Sequence, residues 1–332
     1  MDRRALATLI AEELAEFSMR SAADRSTHSL ETARVVTVDG RDLDLVFKGT
    51  RASRGSGDFV RPRLVRDESR EVWAYSSLLD PRAIDTPRFY GVLDEGGAGE
   101  RLVLEALPGR PLTESGDIDA WRAAARWLAA FHEWGDRRVS GLGEEDPVLH
   151  QTPALHERWL ERAIRRAAAE GRAAVGTRLN EIRAAHRVAV CRLAGGRRGL
   201  VHGEFYPSNL LVARRGSGWR IRAVDWESIG VGPVALDLAA LTTGDWAASE
   251  RTALWREYAD ARDTPLETLT PDLHAARLVN AVQWLGWTVG WTPPVEHDRD
   301  WIEEARDAAR HVLDETGSRP VGPHRGQKLP AP

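Results

Sequence analysis

The sequence contains little cysteine and no long apolar run. Cys191 is the single cysteine, which excludes an intrachain disulfide and a cysteine metal site and favours a reducing, cytoplasmic location. No window approaches about 18 uninterrupted apolar residues, and the N-terminal stretch lacks the apolar centre and cleavage site of a secretory signal. The formal net charge of −4 argues against nucleic acid or a membrane surface as a general partner. The oligomeric state stays open.

Lysine is scarce in a chain that is rich in positive charge. Of 46 basic residues only Lys48 and Lys328 are lysines, which leaves 44 arginines. Lys48 ends the alternating segment DLDLVFK, a strand pattern that places its side chain at a fixed point. An ammonium is a compact point charge suited to phosphate groups, whereas a guanidinium is a planar fork. We interpret Lys48 as a candidate phosphate-binding residue, the alternative being a lysine kept by chance on a strand edge.

Residues 1–106 are expected to form a small β-rich lobe. Residues 1 to about 20 show helical periodicity, and ARVVTV and LDLVFK flank the turn pair Asp39-Gly40 as a hairpin. ESREVWAYSSLL predicts a helix, and RFYGVLDEGGAGERLVLEAL predicts two further strands. The Gly-, Ser- and Arg-rich stretch 51–66 is interpreted as a loop, with phosphate or substrate contact as the alternative.

Residues 107–318 differ in character from the preceding part. Three segments are rich in Ala, Leu and Arg at helical spacing: AWRAAARWLAAFHEW, LHERWLERAIRRAAAEG and TRLNEIRAAHRVAVCRL. These segments predict a larger, mainly helical lobe, which the chain enters through the Gly- and Pro-containing PGRPL stretch. The composition of residues 319–332 predicts a disordered tail. The expected fold class is therefore α+β with two lobes.

Polar side chains collect at the open end of a predicted hairpin in the second lobe. NLLVARRGSGWRIRAVDW reads as strand, turn, strand, so Asn209 and Asp225 should lie at the same end. Carboxylate and amide oxygens are hard ligands suited to magnesium. Glu204 precedes the first strand by a few residues and should share this cleft.

Together these residues indicate phosphoryl transfer. In such sites a lysine binds the nucleotide phosphates, metal ions bridge them, and a carboxylate orients the attacking hydroxyl. In this sequence, these groups are provided by Lys48, Asn209, Asp225 and Glu204. The same logic predicts an acid on the intervening helix to hold the lysine, and Glu71 in SREVWAY lies there.

HGEFYPSN, followed by AVDWESIGVGPVALDLAAL, resembles the aminoglycoside phosphotransferase family and its choline-kinase-like and protein-kinase-like relatives. The likeness extends from about residue 30 to residue 310 and implies a bilobal protein-kinase-like fold. It also implies ATP, with GTP not excluded, and Mg²⁺ as cofactors, and a small-molecule acceptor. The residue roles that it implies are the nucleotide lysine Lys48 with partner Glu71, the adenine-side hinge at Glu105 and Leu107, the magnesium ligands Asn209 and Asp225, and the supporting residues His202 and Asp237.

Two departures from the family pattern bear on activity. Glu204 stands where the family has aspartate, and its additional methylene moves the carboxylate by about 1.5 Å. RSTHSL replaces the glycine-rich phosphate loop, so the hydroxyls of Ser26 and Thr27 are candidates for phosphate contact, an ordinary capping turn being the alternative.

The helices after Asp237 are the candidate walls of an acceptor site. Trp284 and Trp287 share one helical face. We interpret them as core packing, with an aromatic shelf for a sugar or an amine as the alternative, and Asp245 as a possible nearby acid. No dense acidic cluster of the kind expected for a polycationic acceptor is present there.

Three functions follow from this sequence. The leading hypothesis is an ATP- and Mg²⁺-dependent kinase that acts on a hydroxyl of a small molecule such as a sugar, an amino alcohol or an aminoglycoside-like metabolite. The second is a catalytically impaired nucleotide-binding scaffold, motivated by Glu204. The third is a helical interaction module, which leaves the retained Lys48 unexplained.

Overall fold

A five-stranded antiparallel sheet forms the N-terminal lobe. The computed structural model describes residues 3–21, 28–52, 62, 65–94, 99–287 and 298–317. The strand order is β1-β2-β3-β5-β4, and the strands are β1 Leu14–Ser21, β2 His28–Thr37, β3 Asp42–Ala52, β4 Phe89–Asp94 and β5 Glu100–Glu105. Both hairpins expected here, β2–β3 and β4–β5, are confirmed.

The first 20 residues are not one helix, so this expectation is wrong. Helix α1 covers Arg3–Ile10, and Ala11 then adopts a φ of 56° that ends it. Strand β1 follows at Leu14–Ser21 and pairs antiparallel with β2. The pairing provides hydrogen bonds and places half-buried Leu14 and Phe17 against the smaller core. These contacts outweigh the helical pattern of the sequence, because tertiary contacts override weak local propensity.

The two faces of the sheet belong to different hydrophobic cores. One face packs on α1 around Leu6, Leu45, Phe47 and Val103. The neighbours Leu102 and Leu104 on β5 point the other way and join the large core of the C-terminal lobe. Side chains alternate along a strand, so Phe47 faces α1 while Lys48 must face the C-terminal lobe.

Between β3 and β4 lies a short helical segment that packs on both lobes. Helix α2 covers Arg70–Trp73, a π-helical turn continues it over Ala74–Leu78, and α3 covers Pro81–Ile84. The helix predicted from ESREVWAYSSLL is therefore present. Ala74 and Tyr75 are buried in the large core, so α2 is held at the junction of the lobes.

The C-terminal lobe is mainly helical, as expected. Its helices are α4 Ile118–Asp136, α5 Pro153–Ala169, α6 Ala173–Glu181, α7 Arg183–Gly195, α8 Ala235–Leu241, α9 Ala248–Ala261, α10 Leu266–Trp287 and α11 Trp301–Gly317. The segment TRLNEIRAAHRVAVCRL is divided at Ile182 into α6 and α7. None of the helices in the described part of the chain is long and apolar enough to cross a membrane.

Two small sheets carry the loops of the cleft. Strands β9 Leu210–Arg215 and β10 Gly218–Ala223 form the predicted hairpin, and β6 Arg110–Pro111 pairs with β9 where the chain crosses between lobes. The other sheet contains β7 Leu149–His150, β11 Gly230–Pro233 and β8 Arg198–Val201, in that order. The architecture is the expected α+β, bilobal, protein-kinase-like fold. The lobe limits at 106 and 318 stay predictions, and the tail 319–332 lies outside the described residues.

Candidate active site

Lys48 lies at the junction of the lobes and contacts two carboxylates. Its Nζ is 2.8 Å from Glu71 Oε2 and 2.8 Å from Asp225 Oδ1, and the residue is 7% exposed. Burial favours the neutral amine, but the charges and hydrogen bonds of Asp225 and Glu71 outweigh it and raise the pKa of Lys48 above its usual value. The ammonium is therefore charged over the whole physiological pH range.

Arg70 fixes the helix that carries Glu71. The guanidinium is buried and donates hydrogen bonds to the carbonyl oxygens of Val65 at 2.9 Å, Pro147 at 2.7 Å and Glu227 at 2.9 Å. Val65 belongs to the N-terminal lobe, whereas Pro147 and Glu227 belong to the C-terminal lobe. The planar fork of arginine suits several acceptors at once, so Arg70 couples the position of α2 to the loop after Asp225.

Asp237, in the first turn of α8, organises the loop that contains Glu204. Its carboxylate accepts hydrogen bonds from the backbone N–H groups of His202 at 2.7 Å and Gly203 at 2.9 Å. It also contacts His132 Nε2 at 3.2 Å. Asp237 is 1% exposed and His132 is fully buried, so both are enclosed by the fold. The supporting role of Asp237 stays a prediction.

His202 is held as a neutral imidazole under the same loop. Burial lowers its pKa below the ordinary histidine value. Nε2 lies 3.1 Å from the Val224 carbonyl oxygen, and Nδ1 lies 3.3 Å from the backbone N–H of Glu204. These contacts fit a tautomer protonated on Nε2, which donates to Val224 and accepts from Glu204. The ring thereby connects the Glu204 loop to the residue before Asp225.

Glu204 is half-buried, and its carboxylate is held by a serine. Glu204 Oε1 accepts a hydrogen bond from Ser228 Oγ at 2.9 Å. The Glu204 carbonyl oxygen accepts a second bond from Asn209 Nδ2 at 2.9 Å, so Asn209 closes the loop that begins at Glu204. The amide oxygen of Asn209 is then directed away from that bond and remains available as a ligand.

Asn209 and Asp225 lie at the same end of the β9–β10 hairpin, as predicted. Leu210 pairs with Ala223, and the N–H of Val224 donates to the Asn209 carbonyl oxygen at 2.9 Å. Asp225 follows at once with a φ of 66°, a left-handed conformation that turns its side chain out of the strand direction. Its carboxylate is thus directed at Lys48.

A third acid accompanies Asp225 and Glu71. Carboxylate oxygens of Glu71, Asp225 and Glu227 lie within 4.8 Å of one another. Oxygen ligands at this spacing suit a hard divalent cation, so the residues present fit Mg²⁺. The sequence analysis assigned Asp225 and Asn209 to this role and did not include Glu227, although Glu227 ends the Asp-Trp-Glu motif.

Two other residues of the site gave no usable signal in the sequence. Arg70 is one of 44 arginines, and Ser228 lies within AVDWESIGVGPVALDLAAL, but the motif indicates no role for it. Both become evident only through contacts between segments that are 77 and 24 residues apart in the chain.

The candidate hinge residues Glu105 and Leu107 lie at the end of β5 and just after it. Glu105 ends β5, and Ala106 N–H donates to the Asp44 carbonyl oxygen at 2.8 Å. Leu107 follows, half-buried, and its N–H makes no hydrogen bond to any described residue. The edge of a nucleotide base could use such a donor, and this role of Glu105 and Leu107 stays a prediction.

The two tryptophans of the candidate acceptor wall are engaged in aromatic packing. The Trp284 ring stacks on Trp301 with 4.9 Å between centroids and meets the edge of Tyr206 at 5.3 Å. Trp287 stacks on Trp159 at 5.5 Å. Tyr206 is two residues after Glu204, so Trp284 supports that loop from the core. These contacts fit the packing interpretation, and a role in acceptor binding stays a prediction.

Asp245, Ser26 and Thr27 are the remaining site candidates from the sequence. Asp245 is exposed in the loop between α8 and α9. Ser26 and Thr27, the candidates for phosphate contact, lie outside the described residues. Their roles stay predictions.

A comparison of the chain with protein families gives one match. The sequence profile of the phosphotransferase enzyme family, abbreviated APH, matches residues 28–278, and the chain belongs to this family. The resemblance read from HGEFYPSN and AVDWESIGVGPVALDLAAL is thereby confirmed. No curated protein matches the chain.

Solved structures share the fold at low sequence identity. A microcompartment-associated aminopropanol kinase is 20% identical, with a TM-score of 0.61 over 95% of this chain and 98% of that one. Choline kinase from Cryptosporidium parvum is 12% identical, with a TM-score of 0.58 over 91% of this chain and 89% of that one. Aminoglycoside 2'-phosphotransferase-IIIa, in its GDP complex, is 14% identical, with a TM-score of 0.56 over 95% of this chain and 100% of that one.

Proposed function

We propose that this phosphotransferase transfers the γ-phosphate of ATP, with Mg²⁺, to a hydroxyl of a small molecule. The observation that carries the proposal is the convergence of Lys48, Glu71 and Asp225, with Nζ of Lys48 at 2.8 Å from each acid. These residues are separated by up to 177 positions. A structural ion pair alone would not require the single lysine of the described chain to stand here among arginines.

The nucleotide would bind between the lobes. Lys48 presents its charge toward the phosphates, with Glu71 holding the ammonium in place. The Leu107 N–H provides a donor for the base. The structures of two similar proteins are complexes with GDP and with ADP, which supports a purine nucleotide and leaves both ATP and GTP as donors to test.

The metal would be held mainly by Asp225 and the amide oxygen of Asn209. Mg²⁺ supplies charge neutralisation between the phosphates when it is bound. Asp225 must then exchange its contact with Lys48 for the metal, while Glu71 keeps the ammonium paired. Glu227, whose carboxylate lies close to those of Glu71 and Asp225, would add negative charge that favours a bound cation.

Glu204 would orient the acceptor hydroxyl and accept its proton. Its carboxylate is held through the hydrogen bond that Oε1 accepts from Ser228. The acceptor oxygen attacks the γ-phosphorus, the bond to the β–γ bridging oxygen breaks, and the proton passes to Glu204. Asp237 contributes indirectly by fixing the two backbone N–H groups before Glu204.

Phosphate transfer from labelled ATP to a panel of sugars, amino alcohols and aminoglycosides tests the proposal. We expect transfer to at least one acceptor, and a decrease in kcat on the order of a hundredfold in Glu204→Ala. Unchanged turnover in that variant would remove Glu204 from the mechanism. A melting temperature that rises with ATP and Mg²⁺ while no acceptor is consumed would instead indicate the nucleotide-binding scaffold, which no comparison supports.

A further inference from the structure

The carboxylate of Glu204 is longer than the aspartate of the family pattern and needs more restraint. Glutamate has one more rotatable bond and reaches about 1.5 Å further. A misplacement of about 1 Å at a reacting group costs on the order of a hundredfold in rate. A working site with Glu204 therefore requires a contact that fixes the end of this side chain.

Ser228 makes such a contact. Its hydroxyl donates to Glu204 Oε1 at 2.9 Å, and Ser228 is itself 5% exposed. It ends the 3₁₀ turn Trp226–Ser228, which begins directly after Asp225. The Ile229 N–H donates to the Trp226 carbonyl oxygen at 3.1 Å and closes this turn. The serine is therefore fixed relative to the proposed metal ligand.

The backbones of the two loops also touch beside this hydrogen bond. Gly203 has a φ of 83°, and a Cβ at this position would overlap the carbonyl oxygen of Ser228 and lie 3.0 Å from its Cβ. Only glycine permits this approach. The close contact brings Ser228 within reach of the residue after Gly203, which is Glu204.

We propose that Ser228 is a positioning residue that adapts the site to glutamate at position 204. The Ser228 hydroxyl donates to Oε1, so it restrains the rotation of the Glu204 carboxylate and its direction in the cleft. This inference rests on the proposed function for its effect on turnover, but the placement of Glu204 is a separate, structural consequence.

A double-mutant cycle tests the kinetic part. We expect Ser228→Ala to lower kcat about ten- to hundredfold with the KM for ATP changed less than about twofold, because nucleotide contacts remain. In the Glu204→Asp background, where the shorter acid does not reach the serine, the same substitution should change kcat less than about twofold. Equal losses in both backgrounds would show that Ser228 acts on something other than Glu204.

Ser115→Ala is the matched control. Ser115 is equally buried, at 6% exposure, and its hydroxyl accepts a hydrogen bond from Asp117 N–H. Its loss should leave kcat unchanged. Melting temperatures of both serine variants within a few degrees of the parent protein exclude a folding defect as the cause.

Crystal structures of the parent protein and Ser228→Ala, with ATP analogue and Mg²⁺, give a readout independent of turnover. We expect one ordered Glu204 carboxylate in the parent and several rotamers in the variant. An unchanged Glu204 conformation in Ser228→Ala overturns the proposal. If the parent protein transfers no phosphate to any acceptor, the proposed function fails, while this structural result still decides the role of Ser228.

Discussion

Two carboxylates near the cleft, Asp237 and Asp225, show how differently the same side chain is used in this protein. Asp237 is 1% exposed and accepts hydrogen bonds from two backbone N–H groups. The side chain of Asp225 is 30% exposed and contacts the ammonium of Lys48. The bonds of Asp237 are made within the fold, so it acts as structural support. The contact of Asp225 can be exchanged for a ligand, which suits a functional group.

Replacing Asp225 should give the largest effect on activity and almost none on stability. Asparagine tolerates the left-handed backbone at this position and can still accept a hydrogen bond from Lys48, so we expect the melting temperature of Asp225→Asn to change by only a few degrees. The loss of a charged metal ligand should lower kcat on the order of 10²–10³-fold. Steady-state kinetics and thermal unfolding of the same preparation measure both quantities.

Replacing Asp237 should give the opposite result. Asp237→Ala leaves the N–H groups of His202 and Gly203 and the His132 ring without their acceptor, which costs about 3–5 kcal/mol of unfolding free energy. Alanine suits the helix at this position, so helix propensity adds no cost. Urea unfolding at pH 7.5 measures the loss. Asp237→Asn keeps an acceptor oxygen and should lose less; an equal loss would mean that the charge matters rather than the hydrogen bonds.

Acidification should weaken the helical lobe through two buried histidines. His156 and His186 are buried on α5 and α7, and three of their ring nitrogens have no hydrogen-bond partner among the described residues. Burial lowers the pKa of His156 to about 3 and that of His186 to about 4. The unfolded chain binds these protons near pH 6.5, so stability is lost as pH falls from about 6.5 toward 4.

The expected loss is about 2 kcal/mol per histidine between pH 7.5 and pH 5. Urea unfolding at both pH values measures it. Between these pH values, the unfolding free energy of His156→Leu should fall by about 2 kcal/mol less than that of the parent protein. Exposed His150 provides the control, because His150→Leu should leave the pH dependence as it is. The same pH dependence in His156→Leu would mean that this imidazole is protonated in the folded protein.

The parts of the site that were predictable from sequence are those with a local pattern. Strand alternation and the scarcity of lysine indicated Lys48, and the hairpin signal placed Asn209 beside Asp225. Turn residues and alternating apolar positions are properties of neighbouring residues, so they are visible in the chain. The family motifs added His202 and Asp237.

The parts that were missed depend on contacts between distant segments. Strand β1 forms because β2 is available to pair with it, and its own sequence favours a helix. Arg70 acts through hydrogen bonds to three backbone carbonyl groups, and Ser228 acts through one to Glu204. Such bonds leave no periodicity in the sequence. Glu227 was within a recognised motif, but its nearness to Glu71 depends on how α2 packs between the lobes.

The backbone contact at Gly203 separates two properties of the site. Gly203 has no Cβ, so its backbone can lie against the backbone of Ser228. This contact sets the distance between the loop that bears Glu204 and the segment that bears Asp225. The spacing is therefore a main-chain property, and the length of the acid can vary while both loops stay where they are. An exchange of aspartate for glutamate then alters only how deeply the carboxylate extends into the cleft.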